Sequence, residues 1–307
     1  MMNEGPMKKE FQPLEAHQRS DDKINRPKIS YWQDAWRRLK QNKLAVISLG
    51  VIIFLIVMAI LVPWLSRYGY DQQHLSDSNE KPGGKFWFGS DGLGRDLFTR
   101  VWYGARISLF IGFAASAIDL IIGVIWGGIA GYMGGRVDEV MMRICDILYG
   151  LPYILVVVLL LVVMEQGLFT IIVAMSITAW VNMARIVRGE ILRLKEEEYV
   201  MATRSMGANM FHILFKHLIP NSMGPILVTL TFSIPNAIFT EAFLSFLGLG
   251  VQDPQASWGT LTKEGIDAMQ YYPWMVLFPA VFISLAMLAF NVLGDGLRDA
   301  LDPRMRS

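Results

Sequence analysis

Six apolar runs, each near or above the roughly 20 residues that a helix needs to cross a bilayer, limit what this chain can fold into more than any other feature. They are Leu44 to Leu65, Ile107 to Met133, Ile147 to Met164, Gly167 to Ala184, Pro220 to Thr240 and Tyr271 to Gly294. The first holds no charge, and the second is interrupted only by Asp119. The third and fourth are separated only by Glu165 and Gln166, which predicts a tight hairpin. The expected fold is therefore an all-α polytopic membrane protein with six transmembrane helices. Composition agrees, because 53% hydrophobic and 18% charged residues make the chain too apolar for an ordinary soluble domain. A net charge of +1 supplies no basic field for nucleic acid. The lone Cys145 has no internal partner, so either redox compartment stays open.

Lys and Arg set the direction of insertion, since they concentrate in cytosolic loops. With the amino terminus inside, the inner segments collect Lys8, Lys9, Arg19, Lys23, Arg37, Arg38, Lys40 and Lys43, then Arg185, Arg188, Arg193, Lys195, Arg204 and Lys216, and finally Arg298, Arg304 and Arg306. The outer segments hold fewer, among them Arg67, Lys81, Lys85, Arg95, Arg100 and Lys263. Both termini are expected in the cytosol. Residues 1–30 read as a flexible tail without a cleaved signal peptide. Residues 31–43 read as an amphipathic interfacial helix, with Trp32, Trp36 and Leu39 at helical spacing and basic residues on other faces. After the first span (44–65), residues 66–104 form an outer loop. Residues 105–297 form the main membrane domain with a cytosolic loop at 188–220, and 298–307 a cytosolic end.

Several residues could carry chemistry. Gly123, Gly127 and Gly131 lie four apart on one face of the second span and permit close backbone approach, either within the bundle or to a partner subunit. Asp119, read as the only acid deep in a span, is either a packing hydrogen-bond partner or an ion relay. In the fifth span Thr229, Thr231, Ser233 and Asn236 bring polar groups to membrane depth beside Pro235. They either line a translocation path or accompany an ordinary kink. Asp146 and Arg143 are spaced to pair. Gly89 to Gly94 fits half of a phosphate-binding loop, but Arg95 and Asp96 replace the Lys and Ser or Thr that such a loop needs. His17, His74, His212 and His217 form no metal-binding pair, the last two being five apart on different helix faces. No GxSxG elbow is present.

Between the fourth and fifth spans, "EEEYVMATRSMGANMFHILFKHLIPN" reads as two short helices with a bend at Gly207 and a stop at Pro220. Met210, Ile213 and Leu214 make one apolar stripe, and Phe211, Phe215 and Leu218 an adjacent one. Such a segment is either a plain connector or a knob for a groove on another protein. It resembles the coupling segment of bacterial ABC-importer permeases, whose pattern is Glu-Ala-Ala, three residues, Gly, nine residues, Ile, one residue, Leu-Pro. That pattern falls on Met201, Ala202, Thr203, Gly207, His217, Ile219 and Pro220. Ala202, Gly207 and Pro220 match, Ile219 replaces Leu, and the other positions depart. Tyr199, Val200, His217, Pro220 and Asn221 are similar to the oligopeptide and dipeptide branch. "FGSDGLGRDLFTRVWYGARISL", "EAFLSFLGLGVQDPQASWG" and "NVLGDGLRDALDPRMR" extend the resemblance to the C-type oligopeptide permease over roughly Trp32 to Arg306.

The resemblance implies a type I importer fold and a non-catalytic half of a peptide path. It also implies a second, B-type permease, two cytosolic ATPases that bind ATP and Mg, and an extracellular or periplasmic binding protein that delivers peptide. No cofactor or metal is expected in this chain. Dipeptide, nickel or another solute is an alternative cargo, and an ion-coupled carrier using Asp119 is the rival of another class.

Overall fold

The computed structural model of the chain describes residues 31–164 and 167–302. The two predicted tails beyond those limits, with His17, Arg304 and Arg306, and the Glu165–Gln166 corner lie outside the described residues. A short helix α1 (Tyr31–Gln41) precedes α2 (Lys43–Leu65), where Asn42 caps the start by accepting from the Ala45 amide. Trp32 and Trp36 are exposed on α1, while Leu39 is buried against Ala45 and Ala300.

Helix α3 (Leu97–Met133) runs 37 residues, beginning ten residues before the expected span. At 1.5 Å per residue it is about 55 Å long, well beyond the ~30 Å hydrocarbon layer. Its early start follows from Asp96, whose side chain accepts from the Thr99 amide and caps the helix.

The third expected span is not one helix. It divides into α4 (Gly135–Gly150) and α5 (Tyr153–Val163), bent by 82°. The cause is local: Pro152 has no amide hydrogen, and the residue before it, Leu151, takes the extended conformation that proline imposes (ψ 135°). Only about 16 Å of straight helix is left in α5, near half of the bilayer core.

The chain continues through α6 (Leu168–Leu194), α7 (Glu198–Ser205), α8 (Met210–Ile213), α9 (Ile219–Asn221), α10 (Met223–Phe246), α11 (Trp258–Ala268) and α12 (Trp274–Leu301). Five of these helices, α2, α3, α6, α10 and α12, are long and apolar enough to cross a membrane singly. The two ends of the bundle differ. One gathers the 66–96 loop, the starts of α3 and α12 and all of α11. The other gathers the ends of α3, α6 and α12 with α7 to α9.

Helix α3 is the axis of the packing. Along Gly123, Gly127 and Gly131 it meets α6 so closely that an added Cβ would stand 2.6 Å from Met183, 2.2 Å from the Ala184 carbonyl and 2.9 Å from that of Arg188. The glycine face is thus covered by this chain's own α6, not left open to a partner. Toward the first end, Trp258 of α11 is wholly buried, its indole donating to the Val101 carbonyl (3.0 Å) and its amide to Ser108 (3.1 Å).

Candidate functional site

The segment that follows α6 is built as a knob on a buried foot. Val200, Ile213, Leu214 and Leu218 are buried with Ile191, Leu194 and Ile226, which fixes the inner side of α7 and α8 to the end of α6. The outer side is apolar but exposed: Met201 50%, Met206 79%, Phe211 66% and Phe215 53%. Phe211 and Phe215 stack nearly parallel. The stripes read from the sequence therefore divide differently, with Leu218 joining the buried set and Phe211 and Phe215 staying out.

Gly207 makes the bend at φ +83°, with nothing within 4 Å of where a side chain would start. Backbone conformation, not space, selects glycine there. Ala202 and Met201 are exposed on α7, and Thr203 donates to the Tyr199 carbonyl (2.7 Å). Asn209 then restarts the chain by capping α8 through the His212 amide (2.8 Å).

Pro220 does not stop the helix. The chain widens into a π turn over Leu214–Leu218, closed by the Ile219 amide on the Leu214 carbonyl, and runs through Pro220 into α9. The wider turn spares the helix the ring clash and the hydrogen bond that proline cannot make. It also brings the His212 and His217 rings within 5.6 Å, although five-residue spacing on an α-helix would separate them. Asn221 ties the turn together, donating to the His217 carbonyl (2.6 Å) and meeting the Tyr199 hydroxyl (3.4 Å). Burial, and beside it Glu197, raise the Tyr199 phenol above its usual range.

The foot is held to the bundle by charge. Arg188 of α6 makes two bonds to Asp138 of α4, one of 2.6 Å, and Lys195 donates to the Gly131 carbonyl (3.2 Å). Asp146 pairs with Arg185 (2.9 Å), not with Arg143 as its helix spacing suggested. The end of α6 that carries the knob is thus bonded to both α4 and α3.

At the far end, the glycine-rich stretch is a structural corner. Asp91 accepts from the Leu93 and Arg95 amides and from the Arg95 side chain (2.6 Å). Arg100, fully buried, reaches Asp91 (3.4 Å) and Glu264 of α11 (3.0 Å). Arg95 extends the network to Asp253 (3.2 Å). Burial raises the Glu264 carboxyl against the opposing pull of Arg100 and Arg95.

A second acid lies deep in the bundle besides Asp119. Glu241 of α10 is completely buried and accepts from Ser108 (2.9 Å) and Ser245 (2.7 Å), joining α3 to α10. It fell one residue past the predicted end of the fifth span, which hid it. Ser233 and Asn236 line a cleft with Asp119, together with Tyr153, Asn182 and Thr240, which nothing in the sequence pattern singled out. Thr229 and Thr231 are not among its walls; their hydroxyls donate back to Pro225 and Leu227 (both 2.8 Å). Among the described residues no cluster of three His, Cys, Asp or Glu side chains is placed to hold a metal.

Comparison with known proteins sets these features in context. Residues 123–307 match the family described as binding-protein-dependent transport system inner membrane component. Residues 30–82 match the N-terminal TM domain of oligopeptide transport permease C. The chain is 56% identical to the oligopeptide transport system permease protein OppC of Bacillus subtilis, over 96% of this chain and 97% of that one. It is 57% identical to the dipeptide transport system permease protein DppC of the same organism, over 94% and 90%. Its identity to OppC of Escherichia coli K12 is 41%, over 90% and 92%. Among solved structures, an inward facing MetNI methionine ABC transporter chain superposes with a TM-score of 0.53 at 19% identity, covering 67% of this chain and 96% of that chain. That likeness is one of fold.

Proposed function

The chain belongs to the family of binding-protein-dependent transport system inner membrane components, and we propose that it is the C-type permease of an ATP-driven oligopeptide importer. As a multi-pass membrane subunit it is non-catalytic, and ATP and Mg are bound by its partners. In this reading the chain pairs with a B-type permease around one path, and two ATPases dock from the cytosol. The exposed row Met201, Met206, Phe211 and Phe215 on a buried foot is the observation that carries the docking reading. A hydrophobic knob of this kind suits a groove on an ATPase. The Lys and Arg excess on the knob's side supports placing it, and both termini, in the cytosol. The opposite end, braced by Asp91, Arg95, Arg100 and Glu264, then receives the peptide-binding protein. An ion-coupled carrier driven through Asp119 does not fit the family.

The test is to reconstitute the purified assembly and crosslink from Met206→Cys and Phe211→Cys. Adducts with an ATPase subunit, and peptide uptake that needs ATP, are expected. Adducts with neither ATPase would overturn the docking role. A dipeptide cargo is favoured equally by the identities of 56% and 57%. Competition between dipeptides and longer peptides for uptake separates the two.

A further inference from the structure

Asp119 lies on α3 at only 6% exposure, and its Oδ1 is buried without a hydrogen-bond partner. It borders a cleft of about 220 Å³ between α3, α5, α6 and α10, walled by Tyr153, Asn182, Ser233, Asn236 and Thr240. The remaining walls are Ala115, Met175, Ala179 and Ala237, so no Lys, Arg or His faces the carboxylate. The hydroxyl protons of Ser233 and Thr240 are already given to the carbonyls of Thr229 (3.1 Å) and Asn236 (2.8 Å). Their oxygens can therefore offer the cleft only lone pairs. Burial of an unmatched carboxylate at membrane depth is costly; Tyr153, Asn182 and Asn236 carry donors in the same walls, yet none of them bonds Asp119 Oδ1. The matching occupant is a compact cation rich in donors. A divalent metal is a poor fit, because Asp119 is the single carboxylate in the wall and no His or Cys joins it. The volume lies below the ~300–1,000 Å³ of pockets that engulf a whole small ligand, so the cleft suits an end group.

We propose that this cleft holds the primary ammonium of a peptide in transit, with the Asp119 carboxylate as counter-charge and the Ser233 and Thr240 oxygens as acceptors. The proposal rests on the peptide-import reading and names the part of the cargo that the permease itself contacts.

The experiment compares uptake, by the reconstituted full assembly with ATP, of one Lys-free peptide with a free or an acetylated amino terminus. Wild type and Asp119→Asn are measured with the same binding protein, so its preference cancels between them. Asp119→Asn is expected to lower uptake of the free-amine peptide at least tenfold while changing the acetylated one little. Asp119→Glu should restore part of the difference. Equal loss of both peptides, or no loss, overturns the ammonium site while leaving the import reading intact. A wild-type assembly that imports neither peptide overturns the import reading and the site with it. Should Asp119→Asn fail to assemble, Asn236→Cys in the otherwise native assembly provides a second measurement. Its modification by a cationic methanethiosulfonate should outrun that by an anionic one of similar size at least fivefold, and an absence of that preference sinks the proposal.

Discussion

Gly127→Ala is the smallest change that should test whether α3 and α6 are locked together. The added carbon would stand 2.2 Å from the Ala184 carbonyl oxygen and 3.0 Å from its carbonyl carbon and Cα. Ordinary contact begins at 3.4 Å, so α6 must retreat by about 1.2 Å (3.4 − 2.2) at that level. All three atoms are backbone, so no rotamer change relieves the clash. Gly123 and Gly131, at 2.6 and 2.9 Å, hold the same seam above and below, and retreat at one point loosens the others. Overpacking costs ~1–3 kcal/mol, and a gap of 0.5–1 Å forfeits a quarter to a half of each dispersion contact it opens. We therefore expect the upper end, about 3 kcal/mol. The assay is the temperature at which half of the detergent-purified assembly loses its monodisperse peak. A fall of roughly 6–12 °C corresponds to that energy at ~2–4 °C per kcal/mol. Gly50→Ala, with nothing within 4 Å, is the matched control and should be neutral or slightly stabilising. A Gly127→Ala assembly that melts with wild type, or a Gly50→Ala assembly that falls as far, would refute the packing argument.

Three further outcomes are expected. At Gly207, where φ is +83° in open space, Asn should cost least, Ala about 1–2 kcal/mol and Val most; peptide-stimulated ATP hydrolysis should fall in that order, and a fully active Gly207→Val would remove the bend from the coupling mechanism. Arg188→Ala, Asp138→Ala and their double variant should show a coupling of ~1 kcal/mol or less, because the Arg188 side chain is 34% exposed and solvent screens the pair; additive losses in a thermal-stability cycle would show that the pair is decorative. Arg100→Met leaves Asp91 and Glu264 to Arg95 alone and should destabilise the assembly by ~1–3 kcal/mol, seen as early proteolysis of the 66–96 loop; a protease-resistance profile like wild type would count against the network.

The long apolar runs made five spans legible, because a helix in lipid needs only length and the absence of charge. The third is carried by two helices that pass the same test only as a pair, bent by 82°, and the bend went unseen for the same reason. Hydropathy treats Gly150, Leu151 and Pro152 as apolar, whereas the backbone treats the pre-proline residue as a break. The glycine spacing announced close approach, but which helix would come near required three dimensions. Asp146 was matched to a neighbour in its own helix while Arg185 arrived from α6. The bend at Gly207 was readable because left-handed backbone selects glycine. The π turn before Pro220 was not, since no residue type marks one. The cleft around Asp119 draws on four helices, so spacing along any one of them reveals only a fragment.

The π turn at Leu214–Leu218 sets the phase between the knob and the membrane. It carries more residues per turn than the α-helix that follows, and each α-helical residue advances by about 100°. Winding the same five residues as α-helix instead would swing everything downstream by about a quarter of a turn. Ser233 and Asn236 would then leave the cleft wall, although every apolar residue of α10 would still be present. The register of one short turn thus decides which side of a 24-residue helix meets the interior.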